Sequence, residues 1–441
     1  MPVSLIERLS QRRWPLLLAL GVLFLILSGL YNVKVPVYET PDEPSHVAYV
    51  DSLQRTGRIP DINGLTYQAW QPPLYHAVGA GVLKVLGLEP PLAPVTANPK
   101  FPNEDKRAFI TPPGDSFPYR GQILSIHVLR ALSAVFGLGT VVFVYLTAEL
   151  LFPQRRLLVW TATAVAALLP QFLFISAAVS NDTAAAFFAA ATVYFGLRFL
   201  RSGDWRPLLV ASLLGSLAAL SKASAALALL VPAVALLVRP MPWPRRFAAA
   251  FMLAALPLLM AGWFYYRNYA IGGDLSATEA LREAGGICCP SSLTDPMYRE
   301  IFFGPLRRSY WFAGGWFNIW LPAVVYDFID LVTGIALGGL VFLFVRRGLT
   351  PFQRCSLSLM ALLPLATLAG IFYHSVTLSF QTQGRHLFVA QPALVLYLVL
   401  GLATVLSPRE GRDSPLLLLF PLCLLGLNAG ILWITLPAAY G

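Results

Sequence analysis

The chain has 441 residues, 57% of them hydrophobic and only 12% charged, with a mean hydropathy of +0.65. A soluble globule carries about a quarter charged residues, so this composition excludes one and marks a polytopic membrane protein. The net charge of +10, from 32 Lys and Arg against 22 Asp and Glu, sits largely in short inter-helix connections, where it signals topology rather than nucleic-acid binding.

Apolar runs of about 17 to 25 residues suffice to cross roughly 30 Å of hydrocarbon as helices. The first is Trp14 to Val33, preceded by Arg8, Arg12 and Arg13. It is too long for a signal peptide and no small-residue cleavage site follows it, so it reads as a retained anchor.

A long segment, 34–122, comes next and opens with Pro41-Asp42-Glu43-Pro44-Ser45-His46. Ionised carboxylates in hydrocarbon cost several kcal/mol, so Asp42 and Glu43 should meet water or a polar substrate. One reading is a plain helix start, since an acid before Pro is common in a first turn. The other is chemical: with a helix beginning here, Asp42, Glu43 and His46 share one face. The Glu43-x-x-His46 step also occurs in metal sites, so a divalent metal is conceivable.

Within the same segment, Ser45 to Arg55 is amphipathic and Pro73 to Leu88 is apolar but interrupted. Both are expected as helices at the membrane surface, with Tyr67, Trp70 and Tyr75 as interfacial anchors. The stiff turn Gln71-Pro72-Pro73-Leu74-Tyr75-His76 would present Gln71, Tyr75 and His76 to the same outer cavity as Asp42. The Pro-dense stretch Glu89 to Tyr119 reads as an ordered loop over the site.

Ten further spans follow: Ile123 to Phe152, Leu157 to Ser176, Thr183 to Leu200, Pro207 to Leu220, Ala223 to Val238, Phe247 to Tyr266, Val324 to Val345, Phe352 to Tyr373, His386 to Leu406 and Leu416 to Leu436. The fifth and sixth spans of the chain are short and could form one bent hairpin at Ser221-Lys222. The runs are continuous rather than alternating, which excludes a barrel. The expected fold class is all-α: a single polytopic domain over 1–441 with about eleven transmembrane helices and two long outer segments, 34–122 and 270–323.

Arg155, Arg156, Arg198, Arg201, Arg206, Arg239, Arg245, Arg246, Arg346, Arg347, Arg354, Arg409 and Arg412 fall on the side of the N-terminal arginines. The positive-inside bias therefore puts the N-terminus in the cytoplasm and the C-terminus outside. Four cysteines give no framework; only Cys288-Cys289 falls in an outer segment, where a vicinal bridge needs strained geometry.

Polar groups at the outer ends of later helices join Asp42: Ser180-Asn181-Asp182, Lys222, Arg267-Asn268 and Gln381-Thr382-Gln383-Gly384-Arg385-His386. Each has a bland alternative. Asn181 and Asp182 make an ordinary N-cap, Arg267 snorkels to headgroups, and Lys222 pairs with an acid. Arg385 is the harder to dismiss, since a guanidinium clamps phosphate with two donors and Gly384 lets the backbone approach closely.

Together these motifs resemble the membrane-embedded GT-C glycosyltransferase superfamily, most closely a bacterial membrane-protein family defined by a Pro-Asp-Glu-Pro-x-His loop. The resemblance spans Pro41 to His46, Gln71 to Leu74 (similar to a Lys-Pro-Pro-Leu element), Asn181-Asp182, Lys222, Arg267-Asn268 and Gln383-Gly384-Arg385. One departure is His386, which stands where the family has Tyr after Gly-Arg. The resemblance implies transfer of a sugar from a polyprenyl-phosphate donor to a glycan, lipid or protein acceptor, with inversion, at the outer face of the bacterial cytoplasmic membrane. Asp42 would be the general base, Glu43 would orient the acceptor, hold a metal or share the base role, and Arg385 with Lys222 or Arg267 would stabilise the leaving phosphate. The substrate-binding set would add His46, Gln71, Tyr75, His76, Asn181, Asp182, Gln383 and His386. Rival readings are a transporter or flippase of lipid-linked sugars and a non-catalytic envelope scaffold, for which Asp42 would be replaceable.

Overall fold

The computed structural model describes residues 13–61, 64–277, 302–346, 348–377, 382–407 and 413–441, together with Pro296 and Tyr298. Arg8, Arg12, Arg347, Arg409, Arg412, Gln381 and the Cys288-Cys289 pair lie outside the described residues. Among those described, eight helices are long and apolar enough to cross a membrane: Trp14–Lys34, Gly121–Leu151, Asp182–Ser202, Trp243–Gly272, Ala323–Val345, Pro351–Val376, Gly384–Leu406 and Pro415–Tyr440. Each coincides with a run expected from sequence.

The third expected span is a broken pair, Arg156–Leu168 and Pro170–Ser176, bent by 53°. The residue before a proline is disfavoured in the α region, and Leu169 accordingly takes φ −64°, ψ 113°. The fifth and sixth expected spans are the shorter apolar helices Trp205–Ser221 and Ala223–Val238. A count of eleven crossings is therefore not reached by length alone; eight are, or nine with the bent pair. Lys222 marks the joint, with extended backbone at φ −159°.

Small residues decide which helices are central. Along Asp182–Ser202, Ala184, Ala185, Ala186, Ala189, Ala190 and Ala191 are all fully buried, so neighbouring helices approach closely. Gly401 of Gln391–Leu406 abuts the backbone of Ala336 in Ala323–Val345, and Gly339 abuts Gly401 in return. By contrast Trp243–Gly272 exposes Phe247, Phe251, Leu258 and Leu259, the apolar surface that lipid would cover.

The segment 34–122 is more deeply integrated than a pair of surface helices. In Glu43–Thr56 every residue from Glu43 to Asp51 is buried, and Val37, Val47, Val50 and Leu83 form one apolar cluster with Ile126, Leu129 and Val179. Tyr75, expected as an interfacial anchor, is buried, and its hydroxyl pairs with Ser133 Oγ at 2.7 Å. The Pro-rich loop is pinned from below: Tyr38 Oη donates to the Ala93 carbonyl, the Glu39 carboxylate accepts from the Ala108 and Phe109 amides, and Asp115 accepts from the Val37 amide.

Candidate active site

Where Glu43–Thr56, Asp182–Ser202, Ala223–Leu229 and Gly384–Ala390 begin, a cavity of about 450 Å³ opens. Nine of the site residues expected from sequence line it: Asp42, His46, Gln71, Asn181, Asp182, Lys222, Gln383, Arg385 and His386. A hollow of about 520 Å³ at the opposite end of the bundle, near Leu151 and Phe352, contains no carboxylate and offers no comparable chemistry.

Asp42 occupies the N-cap position of Glu43–Thr56 but makes no side-chain cap. Its φ is +67°, in the left-handed region, which Asp tolerates better than most residues. The side chain is thereby released from its helix and turned to the cavity. Tyr67 Oη donates to Oδ1 at 2.5 Å, and Arg385 Nη2 donates to Oδ2. Burial pushes the Asp42 pKa up, but the Arg385 charge, the Tyr67 hydroxyl and His46 outweigh it, and the carboxyl stays below the usual range.

Arg385 is 3% exposed and reaches further. Its Nη1 lies 3.4 Å from Asp182 Oδ2 and donates to the Pro41 carbonyl at 3.3 Å, while Nε donates to Gln383 Oε1 at 2.6 Å. Lys222 Nζ donates to Asp182 Oδ1 at 2.5 Å and lies 3.3 Å from His386 Nδ1. Two carboxylates and two cations thus alternate around one wall. Asn181 stands at the N-cap position of Asp182–Ser202 but makes no side-chain cap: its amide instead donates to Gln71 Oε1 and the Ser221 carbonyl.

Four expected members stand elsewhere. Glu43 is fully buried; its oxygens accept from Arg130 Nε and Nη2, both at 2.7 Å, and from the Tyr38 and Val179 amides at 2.9 Å. With both oxygens committed and Glu43 absent from the cavity lining, the carboxylate is not placed to share the base role. The Glu43–His46 metal step does not form, because Glu43 is committed to Arg130 and His46 Nδ1 to His76 Nε2 at 2.9 Å. No group of three metal-capable side chains occurs among the described residues.

Tyr75 faces Ser133, and His76 lies behind His46, stacked on Tyr49 at 4.0 Å between centroids. Burial holds the His46 pKa down at about 4, so this imidazole is neutral at pH 7. Arg267 serves backbone, donating to the Pro60 and Ala69 carbonyls, while Asn268 donates to Trp70. Gly384 does allow close approach, but to the backbone of Tyr310 and Leu306 rather than to a ligand.

Sequence reasoning missed Arg130 and the site role of Tyr67. Arg130 was concealed inside an apolar run, although a lone arginine in a span is itself a signal. Tyr67, expected as a membrane anchor, instead lines the cavity and bonds Asp42.

A family model described as dolichyl-phosphate-mannose-protein mannosyltransferase matches residues 122–265, about a third of the chain. No curated protein matches the sequence. Among solved structures, ArnT from Cupriavidus metallidurans bound to undecaprenyl phosphate superposes with a TM-score of 0.55 at 15% identity, covering 94% of this chain and 63% of that protein. The chain has the GT-C fold. The apo state of the same ArnT gives a TM-score of 0.55 at 14% identity with the same coverages. The chain spans less than two thirds of the length of the ArnT it matches.

Proposed function

We propose that this protein is a membrane glycosyltransferase that moves a sugar from a polyprenyl-phosphate carrier to an envelope acceptor. The observation that carries the reading is Asp42: a carboxylate released from helix capping, set in a cavity beside Arg385 and Lys222. Asp42 takes the acceptor hydroxyl proton, the acceptor oxygen attacks the anomeric carbon, and the bond from that carbon to the phosphate oxygen breaks with its electrons leaving on the phosphate. Arg385 and Lys222 stabilise that anion. Attack opposite the leaving group inverts the anomeric centre.

The remaining wall suits a lipid. Leu227 and Ile371 line the same cavity as the charged groups, so an anionic head and an apolar tail find partners together. The neighbouring ArnT binds undecaprenyl phosphate, which supports the same class of carrier here. Arginines at the opposite end of the bundle, such as Arg155, Arg201 and Arg246, favour a cytoplasmic location for that end and an outer location for the cavity. The Pro41 to His46 loop favours the bacterial family named by that motif. A transporter would place its polar groups near mid-membrane on broken helices, whereas these gather at helix ends.

The test uses purified protein in lipid nanodiscs with a panel of undecaprenyl-phosphate sugars. Transfer by the wild type that Asp42→Asn reduces at least about a hundredfold supports the assignment; an undiminished rate would sink it.

A further inference from the structure

Both oxygens of the Asp42 carboxylate are engaged: Tyr67 holds Oδ1 and Arg385 holds Oδ2. Charges lining the cavity also balance, Asp42 and Asp182 against Lys222 and Arg385 among the described residues. An incoming phosphate therefore competes with a carboxylate for a cation. Lys222 holds Asp182 at 2.5 Å, and Arg385 holds Asp42 as closely while lying 3.4 Å from Asp182. Arg385 is the group whose transfer to phosphate leaves Asp182 with a partner and Asp42 with a bare oxygen.

Something must then stop Asp42 from following Arg385 or turning back to cap its helix. Tyr67 sits on the 3-10 helix Gly64–Trp70, which is fastened on three sides: the Gln68 amide donates to Ser45 Oγ at 2.9 Å, Asn268 donates to the Trp70 carbonyl at 3.0 Å, and Arg267 donates to the Ala69 carbonyl at 3.4 Å. We propose that Tyr67 is the positioning residue for Asp42, holding Oδ1 while the donor phosphate draws Arg385 away, so that the freed Oδ2 meets the acceptor hydroxyl. This rests on the transfer reading above, and it makes donor binding the step that arms the base.

The test follows Asp42 directly, by infrared difference titration in nanodiscs with Asp42→Asn as the subtraction, with and without undecaprenyl phosphate. The groups facing Asp42 are Tyr67, Arg385 and His46, with Asp182, Lys222 and His386 beyond them. In the wild type, undecaprenyl phosphate raises the titration midpoint as Arg385 departs. Tyr67→Phe raises it with or without the lipid and lowers turnover about tenfold, with undecaprenyl phosphate affinity kept within about twofold. If the Phe variant does not fold, 3-fluorotyrosine at position 67, a stronger donor of the same shape, moves the midpoint down. A Tyr67→Phe protein with unchanged midpoint and turnover overturns the proposal, as does an affinity loss equal to the turnover loss. Midpoint shifts without transfer from any polyprenyl-phosphate sugar uphold the positioning and overturn the transfer reading instead.

Discussion

Glu43 and Arg130 meet through two parallel hydrogen bonds of 2.7 Å, both side chains fully buried. Arg130 also donates to the Asn32, Val35 and Pro36 carbonyls, and Glu43 accepts from the Val179 amide. This pair ties the end of the first span to the loops that carry Asp42 and Asp182. Removing one partner strands a buried charge, at a cost of about 3–5 kcal/mol. Glu43→Gln and Arg130→Met should each lower the unfolding midpoint in detergent strongly. The double variant should recover part of the loss; a double variant as unstable as the sum of the singles would refute the pairwise account.

Asp42→Asn should separate binding from chemistry. With the competing carboxylate neutralised, Arg385 is freer for phosphate, so undecaprenyl phosphate should bind at least as tightly as to the wild type while transfer collapses. Weaker binding, read by native mass spectrometry or calorimetry, would mean that Asp42 organises the lipid site rather than the base.

Arg385→Lys should not be a mild change. The guanidinium serves Asp42, Asp182, Gln383 and the Pro41 carbonyl at once, a fork that an ammonium cannot reproduce. Undecaprenyl phosphate affinity should fall about tenfold or more, in line with loss of a bidentate clamp. Retention of both affinity and turnover in Arg385→Lys would leave the phosphate role without support.

Glu39 makes stability pH-dependent. Burial raises its pKa from 4.5 to about 7, against the pull of the Ala108 and Phe109 amides. The folded state therefore holds the proton more tightly than the unfolded state does. That contribution is complete below pH 4.5 and is lost as pH rises through about 7. Glu39→Gln should flatten the fall in thermal midpoint across this window, and an unchanged slope would contradict it.

Gly384→Ala should destabilise the loop that carries Arg385. An added Cβ meets the backbone of Tyr310 and the Leu306 carbonyl, neither of which is the end of a flexible side chain. Reduced thermal stability together with reduced lipid affinity is the expected result. A variant identical to the wild type in both would show that the helix Phe303–Trp311 yields.

Much of the architecture was legible because hydrocarbon enforces long apolar runs, and every run expected in the described residues is a helix. Crossing number was less legible, since Lys222 and Pro170 interrupt helices in ways that composition does not resolve. At the site, residues at helix ends were found because charge beside a membrane is conspicuous. Side-chain direction was not readable: Glu43 is adjacent to Asp42 in sequence yet serves a buried arginine, because the left-handed turn at Asp42 sends the two carboxylates apart. Tyr75 and His76 were misplaced for a related reason, as their helix Leu74–Val85 packs on the core instead of skimming the surface.

The positive φ at Asp42 reverses the usual ranking of substitutions there. Asn enters left-handed backbone about as readily as Asp, so Asp42→Asn removes charge and leaves the chain path alone. Glu keeps the charge but favours right-handed helix, and its longer stem would push against Tyr67 and Arg385. At this position the charge-conserving replacement is the disruptive one, and an inactive Asp42→Glu protein speaks about backbone shape as much as about proton transfer.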